Sequence, residues 1–197
     1  MKERSGWFIR NQYGAHFVTF TIVGWVNVFS RKACRDIIMK ALQYGITHKG
    51  LTLHAYVIMG NHLHLAISAK EGSSGLSAII RDFKKFTSKE LIRWIKNNPR
   101  ERRREWMLMV FKYHAKYNKR NAVYQVWQQH NKPKELCYPR FTQQKINYIH
   151  LNPVVAGIVD LPEDYIYSSA RNYIGRNDGL IDIEVLDFGC QEGFVFV

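Results

Sequence analysis

The sequence predicts a single α+β domain built on an antiparallel sheet. Three observations carry that reading: short segments rich in β-branched and aromatic residues, longer segments with apolar residues at helical spacing, and the order in which the two kinds alternate. A length of 197 residues suits one core. With 46% hydrophobic and 23% charged residues the chain has enough apolar surface to fold unaided.

His16–Val23 (HFVTFTIV) reads as a strand that Gly24 ends. From Arg31 to His48, Ile37, Ile38, Ala41, Leu42 and Ile46 recur at helical spacing, with Ser30 in the N-cap place. Leu51–Met59 is a second strand, Gly60-Asn61 a hairpin turn, and His62–Ser68 the returning strand. A Gly/Ser loop at 72–75 leads into a basic helix from Leu76 to about Asn97, stopped before Pro99, and a further helical stretch follows Arg100. Tyr124–Gln128 is expected as a short fourth strand and Thr142–Leu151 as a last helix before Pro153. The order β-α-β-β-α-β with a trailing helix is the split βαβ, or ferredoxin-like, arrangement: an antiparallel sheet with helices on one face, leaving the other free to bind.

Charge narrows the partner. Lys and Arg number 29 against 16 Asp and Glu, a net +13. After Gly175 there are five acids (Asp178, Asp182, Glu184, Asp187, Glu192) and one base, so residues 1–175 carry +17. The expected division is therefore a basic domain over 1–175 and an acidic C-terminal tail over 176–197. Between Arg81 and Arg120, 14 bases face 4 acids and interleave with Phe83, Phe86, Trp94, Trp106, Phe111, Tyr113 and Tyr117, a mixture suited to phosphate contacts and base stacking. Any one such run also fits a solvated helix face. Three widely spaced cysteines (Cys34, Cys137, Cys190) point to neither a disulfide framework nor a thiolate zinc site and suit a reducing cytoplasm. No apolar run approaches a membrane span, and MKERSGWFIRNQYGAHF lacks a signal-peptide core, so nucleic acid is the expected partner rather than a membrane.

On a strand, residues two apart share a side, so His62 and His64 project together while Leu63 and Leu65 point into the core. Two imidazoles on one face suit a shared divalent metal. The pair equally fits two surface histidines with no metal. Its place just after a Gly-Asn turn in a basic domain favours a site. In QQKINYIHLNP, Gln144, Tyr148 and Asn152 are spaced to line one helix face. Tyr148 reads as a nucleophile or a core aromatic, Asn152 as a metal ligand or, because it precedes Pro153, a helix cap. Gln144 is a fallback ligand.

Five stretches resemble, in order, a known family: HFVTFTIVGWVNVF, AYVIMGNHLHLAIS, IIRDFKKFTSKEL, VWQQ, and NYIHLNPVVAGIV followed by YIYSSARNY. They resemble the HUH single-tyrosine transposases, especially the REP-associated tyrosine transposases and their insertion-sequence 200-like relatives, over about Phe17 to Tyr173. The resemblance implies that the HUH pair is His62 and His64, that the nucleophile is Tyr148 on an extra catalytic helix, and that Asn152 helps hold the metal. It further implies a Mg²⁺ or Mn²⁺ cofactor and cleavage and rejoining of single-stranded or hairpin DNA through a 5′-phosphotyrosine. The implied location is the bacterial cytoplasm, in association with the nucleoid. Gly60 stands where relatives usually have Pro, and HNKPKELCYPRF replaces a shorter stretch before the catalytic helix. Both a homodimer and a monomer acting in cis fit the resemblance.

Arg81, Lys84, Lys85 and Lys89, with Arg100, Arg102, Arg103 and Arg104, are the expected contacts to the DNA backbone. An alternative is a single-stranded nucleic-acid binding protein of the same fold that does not cleave. A third reading is a structural zinc protein using the histidines and the cysteines. The acids of residues 178–192 are expected either as an exposed tail or as a self-competitor lying in the basic groove.

Overall fold

The computed structural model describes residues 8–117, 123–176 and 178–186. Strands β1 (His16–Thr21), β2 (Leu51–Ile58), β3 (His62–Ala69) and β4 (Lys134–Glu135) form one antiparallel sheet in the order β2-β3-β1-β4. Helices α1 (Lys32–His48), α2 (Leu76–Asn97) and α3 (Arg104–Lys116) precede β4. Helix α4 (Pro139–Val155) and the short α5 (Ala170–Tyr173) follow it. This is the split βαβ order that the alternation of segments predicts.

Alternation decides which residues meet. Val18 and Phe20 of β1 and Leu63, Leu65 and Ile67 of β3 enter the main core with Ile38 and Leu42 of α1 and Leu76, Ile80 and Leu91 of α2. Burying each of these side chains contributes about 1.5–3 kcal/mol. Phe17, Ala55, Val57 and Ala66 form a smaller cluster on the opposite face with Ile146 and Ile149 of α4. In β2, Leu51 and Leu53 face the main core, but after a register shift between Leu53 and Ala55 it is Tyr56 and Ile58 that do so. The extra residue is His54, a β-bulge that reverses the strand's parity and leaves every β2 position buried.

Five sequence expectations are corrected. The face opposite α1 and α2 is not left free, because α4 lies across part of it. The fourth strand is Lys134–Glu135, opposite Phe17 and His16, not Tyr124–Gln128. Within 124–128 only Trp127 makes an isolated bridge, to Ile22, since its ring is drawn onto Phe20 and Phe29 and its indole N–H donates to Thr87 Oγ1 of α2. Ser30 does not cap α1; its hydroxyl donates to the Asn27 carbonyl, and Arg31 occupies the cap position. The last helix starts earlier, with Pro139 in its first turn, and continues through Pro153. It ends where Gly157, at φ +66°, lets Ile158 N–H reach Pro153 O and Gly157 N–H reach Val154 O. That Schellman closure leaves Asn152 inside the helix, so the cap reading of Asn152 fails.

Gly60 has a steric reason: a Cβ there would collide with the Asn27 side chain, whose loop is also held by Phe29 N–H on Gly60 O. The open edge of β2 is covered by the C-terminal segment, with Ser169 N–H on Tyr56 O, Ile58 N–H on Tyr167 O and Glu184 N–H on Leu53 O. Ile181 is buried, and Asp178 pairs with Arg171 and Arg176. Residues 178–186 thus run beside β2 and do not occupy a groove on α2, which corrects the self-competitor expectation for this stretch. Asp187 and Glu192 lie outside the described residues. No helix among the described residues is long and apolar enough to cross a membrane.

One buried ion cluster ties α3 to the approach to α1. The Glu101 carboxylate, fully buried, accepts from Arg31 Nε at 2.6 Å and from both Nε and the backbone N–H of Arg103. The hydrogen bond from Arg31, then those from Arg103, overcome burial and hold the carboxyl well down, from 4.5 to about 2. A depressed folded value means the stabilisation is complete above the unfolded pKa and is lost as pH falls through the folded one. Glu101→Gln is expected to lower stability by about 1–3 kcal/mol at neutral pH. In thermal melts the gap from wild type should narrow as pH falls from about 4.5 toward 2; a gap independent of pH contradicts this account.

Candidate active site

β3 carries His62 and His64 on the face that α4 covers, opposite Thr21 and Thr19 of β1. Their rings lie 4.8 Å apart. Nδ1 of His62 donates to Asn61 Oδ1 at 2.7 Å, because the amide nitrogen of Asn61 is turned to the Trp25 carbonyl at 3.3 Å. Nδ1 of His64 meets Thr19 Oγ1 at 2.8 Å. Since His62 Nδ1 donates, its Nε2 carries a lone pair, and His64 Nε2 carries one when His64 Nδ1 donates to Thr19 Oγ1.

Burial keeps these imidazoles neutral. His64 is 5% exposed, stacked on Phe17 at 5.4 Å, and burial, with lesser effects from His62 and Lys145, pushes its pKa down to about 3. Burial also lowers that of His62. Neutral imidazole is the form that binds metal. His64 Nε2 is buried with no hydrogen-bond partner among the described residues, and as an acceptor it would be satisfied by a divalent ion. Among the described residues no group of three or more His, Cys, Asp or Glu side chains could hold a metal. Two imidazoles without a thiolate or carboxylate beside them among the described residues fit an ion completing its shell with oxygens from water, amide or phosphate and not a closed structural zinc site. Cys34 is buried in the main core and Cys137 is exposed, so neither serves the zinc reading; Cys190 lies outside the described residues.

α4 brings Tyr148 to this pair. Its ring is 5.0 Å from His64 and 6.0 Å from Phe17, edge-on to both, and the side chain is 48% exposed. Ile146 and Ile149, both fully buried, hold the helix down on either side. One turn away, Gln144 is exposed and Asn152 partly buried, and neither side chain hydrogen-bonds a described residue. Four neighbours of the site are not marked by helical spacing. Lys145 lies over the Tyr148 and Phe17 rings, its ammonium 5.7 Å from each, with its pKa lowered first by burial and then by Lys134. Thr19, Phe17 and Asn61 are the others. Strand parity in HFVTFT was the available signal for Phe17 and Thr19.

The basic residues divide. Lys84 is largely buried, donates to Gln128 O and Asn131 Oδ1, and burial lowers its pKa to about 8. Arg103 holds Glu101, the Asn27 carbonyl and Ser30 Oγ. Those two cations anchor the fold. Arg81, Lys85, Lys89, Arg100 and Arg102 are exposed, and Arg104, partly buried, sits beside Glu105. Arg81 and Lys85 line a polar cleft of about 600 Å³ between α2 and residues 125–131.

No curated protein matches the chain. Among solved structures, a REP-associated tyrosine transposase bound to a REP hairpin shares this fold, with 20% identity, 99% of each chain covered and a TM-score of 0.56. The family model described as IS200-like transposase matches residues 10–129, a span that includes His62, His64, Thr19 and Asn61 and ends before α4. With a match over more than half its length and the histidine pair inside it, the chain belongs to the IS200-like transposase family.

Proposed function

We propose that this transposase cleaves and rejoins single-stranded or hairpin DNA through a covalent link to Tyr148, with His62 and His64 as the metal-binding pair. The observation that carries the reading is the Tyr148 ring 5.0 Å from His64, whose Nε2 is buried without a partner. His62, His64 and, as a third donor, Asn152 or Gln144 would hold Mg²⁺ or Mn²⁺. When bound, such an ion supplies positive charge at a non-bridging oxygen of the scissile phosphate.

The chain's residues do the rest. The phenolic oxygen of Tyr148 attacks phosphorus, a Tyr–O–P bond forms, and the P–O3′ bond breaks. The phenolic proton passes to solvent, and the departing 3′-oxygen takes one up. The product is a 5′-phosphotyrosine beside a free 3′-hydroxyl, and attack by another 3′-hydroxyl reverses the step. No bond energy is lost to hydrolysis, so no nucleotide is consumed. The Lys145 ammonium offsets charge on the phosphate during attack. Thr19 and Asn61 hold the ring tautomers. Tyr148 and His64 adjoin within one chain, which supports attack in cis. The exposed Arg81, Lys85, Lys89 and Arg102 hold the DNA backbone, with Lys84 and Arg103 acting through the segments they anchor.

Wild type incubated with hairpin-tipped single-stranded DNA and Mn²⁺ is expected to form an adduct that survives a denaturing gel, and Tyr148→Phe to form none while still binding. Tight binding by wild type without an adduct would instead identify a binding protein that does not cleave. Thr19→Val, which removes the His64 partner without touching metal or DNA, is expected to weaken Mn²⁺ affinity or the adduct rate about 10- to 100-fold. An unchanged rate and affinity would show that the Thr19 contact is not needed.

A further inference from the structure

Trp25 follows β1 in a position that neither packing nor backbone preference explains. It is 64% exposed, and its φ of 54° lies in the left-handed region that bulky residues rarely adopt. Gly24 before it, at φ 63°, makes the same turn without cost. The loop is held from two sides. Trp25 O accepts from Asn61, the residue whose Oδ1 holds His62, so one amide links this tryptophan to the metal-binding pair. Gly24 lies against α3, where a Cβ would come within 2.8 Å of Val110 Cγ1 and 3.5 Å of His114 Nε2. From His114 the ring contacts continue to Tyr113 at 5.6 Å and on to Tyr117 at 5.3 Å. Tyr113 and Tyr117 are 54% and 75% exposed, and Lys112 and Lys116 beside them are exposed cations.

Exposed aromatic faces interleaved with cations, and tied through Asn61 to the histidine pair, have the chemistry of a single-strand track, since every base offers a face to stack and every phosphate a charge to pair. An unfavourable backbone at a functional edge is the kind of strain that surrounding structure maintains for a purpose. We propose that Trp25 is the stacking platform for the base beside the scissile phosphate, and that the strand continues from it along the Tyr113–Tyr117 edge of α3. The proposal rests on the reading of His62, His64 and Tyr148 as the cleavage site.

The test measures the binding of single-stranded oligonucleotides in which one abasic residue is moved along the sequence, using wild type, Trp25→Phe, Trp25→Ala and Trp25→Gly. Trp25→Ala is expected to bind the intact strand roughly 5- to 100-fold more weakly, with Trp25→Phe recovering most of the loss. An abasic residue next to the position that becomes joined to Tyr148 should weaken wild type by a similar factor and Trp25→Ala no further. Trp25→Gly, which suits the left-handed backbone, should melt no lower than wild type and still bind weakly, which separates stacking from folding. Equal abasic penalties in wild type and Trp25→Ala at every position would overturn the proposal. So would a Trp25→Ala protein that keeps its affinity and changes only its oligomeric state. Binding is read without cleavage, so the two readings fail separately. Position-specific coupling without an adduct would sink the cleavage reading and leave Trp25 as the base-stacking site of a non-cleaving binder, and an adduct without coupling would sink the platform alone.

Discussion

The register between β1 and β3 is the constraint on which the site depends. Thr21 faces His62, Thr19 faces His64 and Phe17 faces Ala66. A slip of one residue would turn both histidines into the main core and Leu63 and Leu65 out toward α4. The register is enforced from the other face, where Val18, Phe20, Leu63, Leu65 and Ile67 are buried together against α1 and α2. The apolar packing of one side of the sheet therefore fixes the geometry of the chemistry on the other.

Burial of His64 has two consequences that act together. It disfavours the imidazolium, so the ring remains neutral over the physiological pH range. It also leaves Nε2 buried with no hydrogen-bond partner among the described residues. That buried nitrogen lies beside a half-exposed tyrosine, the juxtaposition on which the proposed site rests. Lys145 adds a positive charge that further disfavours imidazolium at His64.

Local periodicity made the sheet, α1, α2 and the histidine pair legible, because each is a pattern within one segment. The second β2 face was not, since the bulge at His54 reverses a parity that the residues alone do not mark. The fourth strand was misread because Trp127 has strand-like neighbours, yet its indole is held by Thr87, forty residues away. Lys84 was legible as a cation and not as a buried anchor, and Lys145 looked like one more surface charge. Both roles come from contacts between distant segments. Tyr148 stood out through the motif around it, whereas the cap reading of Asn152 took Pro153 as a stop where the helix closes four residues later, at Gly157.

The remaining question is how a helix outside the family match comes to lie so near the histidines. The answer is in the size of the residues beneath it. α4 packs Ile146 and Ile149 over Ala55 and Ala66, two fully buried alanines on neighbouring strands. Small side chains at both points allow the helix axis to approach the sheet, while Phe17 on the next strand fills the space under Tyr148 and His64. A close-packed interior does not absorb an added methylene without displacement. The distance from Tyr148 to the histidine pair is thus set at Ala55 and Ala66, which lie inside the matched span. The sheet carries both halves of the site: the histidines by its register, and the tyrosine by the room it leaves.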